Sequence, residues 1–489
     1  MEDLKLRKKN LLMFPLGTVG RDMVYSLVTN FLLTYILFTK GLTPAQLAAV
    51  TAIMVAARVF DALNDPIMGN IIENTHTRWG KFKPWLVIGI LLTSVVITMV
   101  FTTNLRGWNF IILFGVFYFL FSIAYTMHDI SYWGMVPALS SDAAARDQFT
   151  SRATLFAGIG GTLASILIPM FTTGEMALGG SANKAYGIIA TVIAIISPLF
   201  LCFTVFGVRE RRETTKAAKS NGGLLKIITT IKENDQLRWI SIIFLIQQIG
   251  NGIVVGGLGS TYIYFVYGYE GGLYSLFTTV GMSATAFLMI FYPTISKRLH
   301  RKPLMSIMAV ISVVGYVLML VSRFVSGDFG FWVLVIGYML SNFGQYCYYL
   351  IMMISIINTV EYNEYKTGNR DEAVIASVRP FLTKMSSALI VVITSVSYML
   401  FGVTDYTNQI SDLESAAASG TMTELEKITS IRQVISGVSS GQTWGLLLCM
   451  TVIPCVLMLI SYFLYQKKYT LDEAEYDRIC KEINAKKEA

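Results

Sequence analysis

The chain has 489 residues, of which 54% are hydrophobic and only 14% are Asp, Glu, Lys or Arg. Soluble domains carry about a quarter charged residues, so this composition excludes a soluble enzyme, a disordered polymer and a secreted disulfide scaffold. The formal charge of +8 is spread among short loops, which argues against a nucleic-acid partner. The five scattered cysteines (Cys202, Cys347, Cys449, Cys455, Cys480) suggest packing residues, with no disulfide framework or metal cage.

The charged first ten residues, followed by a long interrupted apolar run, give no sign of a cleavable signal. About 20 apolar residues cross a bilayer. Spans are expected at about 11–38, 45–73, 84–103, 108–137, 153–173 and 185–206, and then at 238–267, 272–295, 303–322, 329–359, 375–402 and 442–465. A basic stretch (Arg209, Arg211, Arg212, Lys216, Lys219, Lys226, Lys232) separates the two sets. The fold class is therefore all-α membrane protein, with twelve transmembrane helices in two six-helix bundles. The first covers 1–207, a linker runs over 208–236, the second bundle covers 237–466, and a tail follows at 467–489.

Lys and Arg distribute unevenly between alternate loops. Even-numbered loops hold Arg78, Lys81 and Lys83; Arg146; the central basic stretch; Lys297, Arg298, Arg301 and Lys302; and Lys366 with Arg370. Odd-numbered loops up to the ninth hold Lys40, Arg106, Lys184 and Arg323, at most one each. The positive-inside rule then places even loops and both termini in the cytoplasm, in a multi-pass protein of the plasma membrane. Equivalent loops of the two halves both end a helix, turn with basic residues and restart at a proline (Arg78 to Pro84; Lys297 to Pro303). Paired halves with a substrate site between them are the architecture of rocking transporters. The eleventh loop, about 403–441, is long. In it Leu425, Ile428, Ile431, Ile435 and Val438 recur at helical spacing behind Thr423, predicting an amphipathic helix near the outer mouth, either a partial cover or a passive insertion.

Ionisable residues inside the spans carry most information, because each costs about 2.5–3.5 kcal/mol at a helix centre. Asp22 lies near the middle of span one beside Arg21. Arg58, Asp61 and Asp65, spaced by three and four residues, share one face of span two. Two carboxylates one turn apart repel unless a cation joins them or one takes a proton. Na⁺, Li⁺ or H⁺ would suit such an oxygen-rich pair, with Thr126 of span four adding a hydroxyl. A buried Arg58–Asp61 pair alone would be read equally well as helix packing. Asp129 is flanked at four-residue spacing by Tyr125 and Trp133, a carboxylate between aromatic faces that suits a sugar. Arg152 opens span five, and Arg379 and Lys384 lie in span eleven.

At these residues the sequence resembles the glycoside–pentoside–hexuronide:cation symporters, a branch of the major facilitator superfamily typified by the bacterial melibiose carrier. The resemblance is carried by Gly20-Arg21-Asp22, the run from Arg58 to Gly69, the loop from Arg78 to Trp85, the run from Tyr125 to Trp133, and Val360 to Arg370. It implies the major facilitator fold and cation-coupled uptake of a sugar or glycoside by a monomer, with a monovalent cation and the bilayer as further partners and no other cofactor. Asp61 and Asp65, with Thr126, would hold the cation, Na⁺ among the candidates. Asp22, Arg21, Tyr125, Asp129, Trp133, Arg152 and Tyr349 would contact sugar, and Arg58 and Lys384 would couple the two sites. Arg379-Pro380 departs from an uncharged pair in the melibiose carrier, and an added guanidinium would favour an acidic glycoside; pairing of Arg379 with Glu364 is the alternative. A lysolipid transporter of the same fold is the rival function. Enzymatic activity is not expected, since no activated nucleophile or metal cluster is evident.

Overall fold

The computed structural model describes residues 2–140, 143–209, 224–325 and 327–488. Arg211, Arg212, Lys216 and Lys219 of the expected basic linker lie outside the described residues. The described chain is helical: α1 Glu2–Ser26, α2 Leu32–Thr39, α3 Pro44–Glu73, α4 Lys83–Thr102, α5 Gly107–Leu139, α6 Ala143–Thr172, α7 Ala182–Gly207, α8 Leu224–Glu233, α9 Asp235–Gly252, α10 Gly259–Val266, α11 Gly271–Arg298, α12 Arg301–Val321, α13 Asp328–Thr367, α14 Glu372–Leu400, α15 Val403–Ser419, α16 Glu424–Ser436, α17 Ser440–Lys468 and α18 Glu473–Glu488. Eleven of the described segments are long and apolar enough to cross a membrane. The expected eighth span coincides with α11, which is 28 residues long but outside that set.

Span one is one helix interrupted by a π-turn at Leu27–Phe31, so α1, the turn and α2 run as one rod. The first span of the second half is also interrupted, at Val254–Leu258 between α9 and α10, but there Gly257 takes a φ of 125° and breaks the helix. Local sequence sets several helix starts. Thr43 caps α3 through a reciprocal box with Gln46, with Pro44 at the first helical position. The Asn234 side chain accepts from Leu237 N at 2.8 Å and so starts α9. The helix α3 runs on through Pro66. Expected span ends hold within a few residues for most helices. The exceptions are α1, α6 and α13, which extend further along polar sequence, α13 by two turns to Thr367.

By contact the chain falls into two compact units. The first joins residues 1–216 to two segments from the second half of the chain, 260–275 and 398–442. Its helices approach closely where glycines remove side chains. A Cβ on Gly20 would lie 2.4 Å from Ser197 Cα, and one on Gly160 would lie 2.2 Å from Val19 O. This packs α1 tightly against α7 and α6. The second unit comprises 217–259, 276–397 and 443–489, with a core that includes Phe244, Met305, Tyr348, Ile351 and Tyr465.

The eleventh loop holds two helices where one was expected. The Thr423–Glu426 capping box starts α16 as the sequence predicts, and Ile428 and Ile431 are buried, while Leu425 faces outward. The additional helix, α15, is mostly polar, and its short apolar series at helical spacing, Val403, Tyr406, Ile410 and Leu413, was missed. The tail is not a loose appendage either. Within the second unit Arg301 donates from its backbone N and Nε to Glu473, Tyr469 donates to Ser355 O, and α18 buries Ile479 and Ile483.

Candidate functional site

Two polar clusters are built inside the spans of the first unit. In the first, α3 and α5 face each other with matched four-residue spacing. The Ser122 hydroxyl donates to Asp61 Oδ1, and the Thr126 hydroxyl donates to Asp65 Oδ1 at 3.1 Å. Arg58 reaches Asp61 Oδ2 from one turn away at 3.4 Å. Asp61, Asn64, Ser122 and Thr126 are all buried. The pair Asp61–Asp65 therefore meets a pair of hydroxyls, and the cluster offers several oxygens to a hard ion. Thr126 sits where the sequence put it. Ser122 was missed, although its place four residues before Thr126 repeats the Asp61–Asp65 interval.

The second cluster centres on Arg21. Its guanidinium is 2.9 Å from Asp22 Oδ2 and donates from NH1 to Asp129 Oδ1 at 2.7 Å. It also lies 5.4 Å from the Tyr132 ring centroid and 5.2 Å from that of Trp133. The Arg21 side chain is 6% exposed, against 39% for Asp129. Arg21 was expected to sit beside Asp22; it instead ties both expected sugar carboxylates together and takes cation–π support from α5. Its position follows from Gly20: Ser197 donates to Gly20 O at 2.7 Å, so the backbone preceding Arg21 lies against α7. Tyr125 stacks between Tyr25 and Phe121, with centroids 5.6 Å from each. Tyr25 was not foreseen; it lies three residues after Asp22, on the same helical face.

In such a cluster the two carboxylates can accept hydrogen bonds from a rim of hydroxyls and the guanidinium can donate to them, while the indole packs against C–H groups. Two carboxylates with two hydroxyls one helix away can bind a small cation or a proton. A chain spanning the membrane many times with such groups at mid-span has the parts of a carrier. The family model described as MFS/sugar transport protein matches residues 13–473. The chain belongs to that family. Among its relatives, a lactose permease of Leuconostoc lactis is 32% identical over 404 residues, covering 77% of this chain and 60% of that protein. This chain thus spans about three fifths of the length of that relative. A raffinose carrier protein of Pediococcus pentosaceus is 25% identical, with 96% of this chain and 71% of that one covered. The solved D-xylose–proton symporter superposes with a TM-score of 0.60 at 11% identity, over 90% of this chain and 99% of that one, which shows a shared fold. The protein is thus a membrane transporter of the major facilitator fold and not an enzyme.

Within this transporter the remaining expected residues fall into three places. Arg152 does not join the Arg21 cluster: it donates to Leu11 O at 3.4 Å, nearly three helical turns before Arg21. In the second unit, Arg379 donates to the Tyr349 hydroxyl at 3.0 Å and contacts the Met353 sulfur, so these two expected sugar residues meet each other. Glu364 is held by Arg370 at 2.8 Å. Lys384 lies half-buried on α14, one and a half turns beyond Arg379.

Proposed function

We propose that this transporter carries a sugar or glycoside in symport with a monovalent cation, by alternating access of its two halves, with even-numbered loops and both termini in the cytoplasm. The observation that carries the reading is the matched ladder of Asp61–Ser122 and Asp65–Thr126, with the Arg21-clamped Asp129 on the same α5 helix as the two hydroxyls. Packing alone does not call for two carboxylates facing two hydroxyls inside a membrane span. The family description and the sugar-named relatives support the sugar.

In this reading the cation binds between Asp61 and Asp65 with Thr126 and Ser122 assisting, and draws α3 against α5. That fixes α5, and with it Asp129, Tyr125 and Trp133, for sugar. Coupling is reciprocal, so sugar tightens cation binding by the same factor. Arg58 holds Asp61 in place, and Lys384 carries the second half's charge in the cycle. An acidic glycoside is favoured by Arg379, which turns to Tyr349 while Glu364 is engaged elsewhere.

The test is sugar uptake and sugar affinity measured with Na⁺, Li⁺ or a proton gradient as the sole variable. Asp61→Cys and Asp65→Cys should abolish the cation dependence while leaving residual sugar binding. Full coupling in both variants would defeat the assignment. Uptake of a labelled lysolipid in preference to a labelled glycoside would replace it with the rival function.

A further inference from the structure

The helices of the eleventh loop are tied to every odd-numbered loop of the first six spans. On α15, Asn408 donates to Leu42 O at 3.0 Å in the first loop. Arg106 of the third loop donates to Asp412 at 2.8 Å and to Ser411 at 2.6 Å. At the fifth loop, Glu414 accepts from the Ala182 backbone N at 2.6 Å, capping the start of α7, and Asn183 donates to Ser415 at 3.1 Å. From α16, Lys427 donates to Gly180 O at 2.7 Å and Arg432 pairs with Glu175 at 3.0 Å. Gly179 and Gly180 both take positive φ, 74° and 77°, which turns the fifth loop beneath α16. At the centre, Lys427 Nζ and Glu414 Oε2 are 3.6 Å apart with both side chains 0% exposed.

We propose that α15 and α16 form an outer strap that locks the carrier closed to the outside, and that release of the Glu414–Lys427 pair is a required step of sugar entry. This rests on the transport reading and goes beyond it. The strap grows from the ends of α14 and α17, helices of the second half, yet its partners are the outer loops of the first half. Beneath it the outer ends of the two halves also meet within this unit: Thr34 and Ser260 hydroxyls are 3.4 Å apart, and Gly271 N donates to Thr173 O at 3.3 Å. Alternating access requires these ends to part, so the strap must let go of the loops.

A buried ion pair suits such a device. Its two charges regain full hydration when the strap lifts, so the docked and free states stay close in free energy, whereas an apolar plug of the same area would hold one state. That logic gives opposite outcomes for one substitution and for two. Lys427→Met leaves Glu414 buried without its cation and unlatches the strap; Glu414→Gln with Lys427→Met removes the stranded charge while an amide oxygen still accepts from Ala182 N, and relatches it.

The experiment uses the full chain, with native cysteines replaced, in right-side-out vesicles. Thr34→Cys, buried beneath the strap, reports opening through its rate of reaction with a membrane-impermeant maleimide. Lys427→Met should label at least about tenfold faster than the parent, and the double variant should return most of the way to the parental rate. As an arm independent of folding losses, Asn183→Cys with Ser415→Cys, whose native side-chain atoms touch, should lose uptake on oxidation or bis-maleimide linkage and keep it when unlinked. Parental labelling in Lys427→Met, or undiminished uptake in the crosslinked protein, would overturn the strap. Absence of sugar uptake in the unlinked protein would count against sugar transport instead, and the labelling rates would still report on the strap.

Discussion

Replacing Arg21 by methionine tests whether the mid-span cluster is held together by its guanidinium. The substitution keeps the length of the stem and removes the charge, leaving Asp22 and Asp129 facing each other. Breaking a buried pair costs about 3–5 kcal/mol. The Asp22 partner is 17% exposed and retains most of that cost, whereas the Asp129 side chain, 39% exposed, is screened and contributes nearer a surface value of about 1 kcal/mol or less. A net loss of about 3–4 kcal/mol follows for the first unit. Adding Asp22→Asn should return most of it, since the remaining carboxylate is the hydrated one. Sugar binding should not return with it, because a lost charged hydrogen bond is worth about 1.5–3 kcal/mol, roughly tenfold to a hundredfold in Kd. The assay is the unfolding midpoint of detergent-purified protein with and without sugar, alongside direct titration of binding. An Arg21→Met protein that unfolds like its parent and binds sugar within about twofold of it would refute the claim that this cluster organises the site.

Ser122→Ala removes a buried donor from Asp61 and should weaken cation activation by about tenfold, with cation-free sugar affinity unchanged; titrating uptake against the cation checks it. Arg379→Gln should lower uptake of an anionic glycoside relative to its neutral analogue by about tenfold; an unchanged ratio would dismiss the acidic substrate. At the end of α2, burial, with Arg106 adding repulsion, lowers the Lys40 ammonium to about 7 from an ordinary 10.5. Between these values the unfolded chain binds the proton and the native state does not, so stability rises with pH across that window and is unaffected below it. Comparing parent and Lys40→Met melting from pH 7 to about 10 should show a slope that the substitution flattens; parallel profiles would contradict it.

Spans were legible because bilayer thickness forces long apolar runs, and the two carboxylates of α3 were legible because a charge in such a run stands out. Thr126 followed from the same reasoning. Ser122 did not, since a serine in an apolar helix is common, and only the contact with Asp61 separates it from its neighbours. Arg21 was recognised as a residue of the site but not as its clamp, because reaching Asp129 depends on how α1 packs against α5. The helix α15 was missed for a different reason. It docks largely through Ser411, Asp412, Glu414 and Ser415, polar groups that satisfy polar loops, and the apolar positions at helical spacing, Val403, Tyr406, Ile410 and Leu413, are sparse among polar residues and were passed over. Likewise, α18 reads as a charged tail until Glu473 is seen against Arg301.

The wide turn at Leu27–Phe31 has a consequence for how span one can be altered. Such a turn inserts an extra residue into the helical ladder, so the side chains before and after it differ in phase by about 100° from those of an uninterrupted helix. Arg21 and Asp22 lie on one side of that joint and Thr34 on the other. Deleting a single residue from the turn would therefore swing either the Arg21 cluster or the Thr34–Ser260 contact out of alignment, while leaving composition and hydropathy almost untouched.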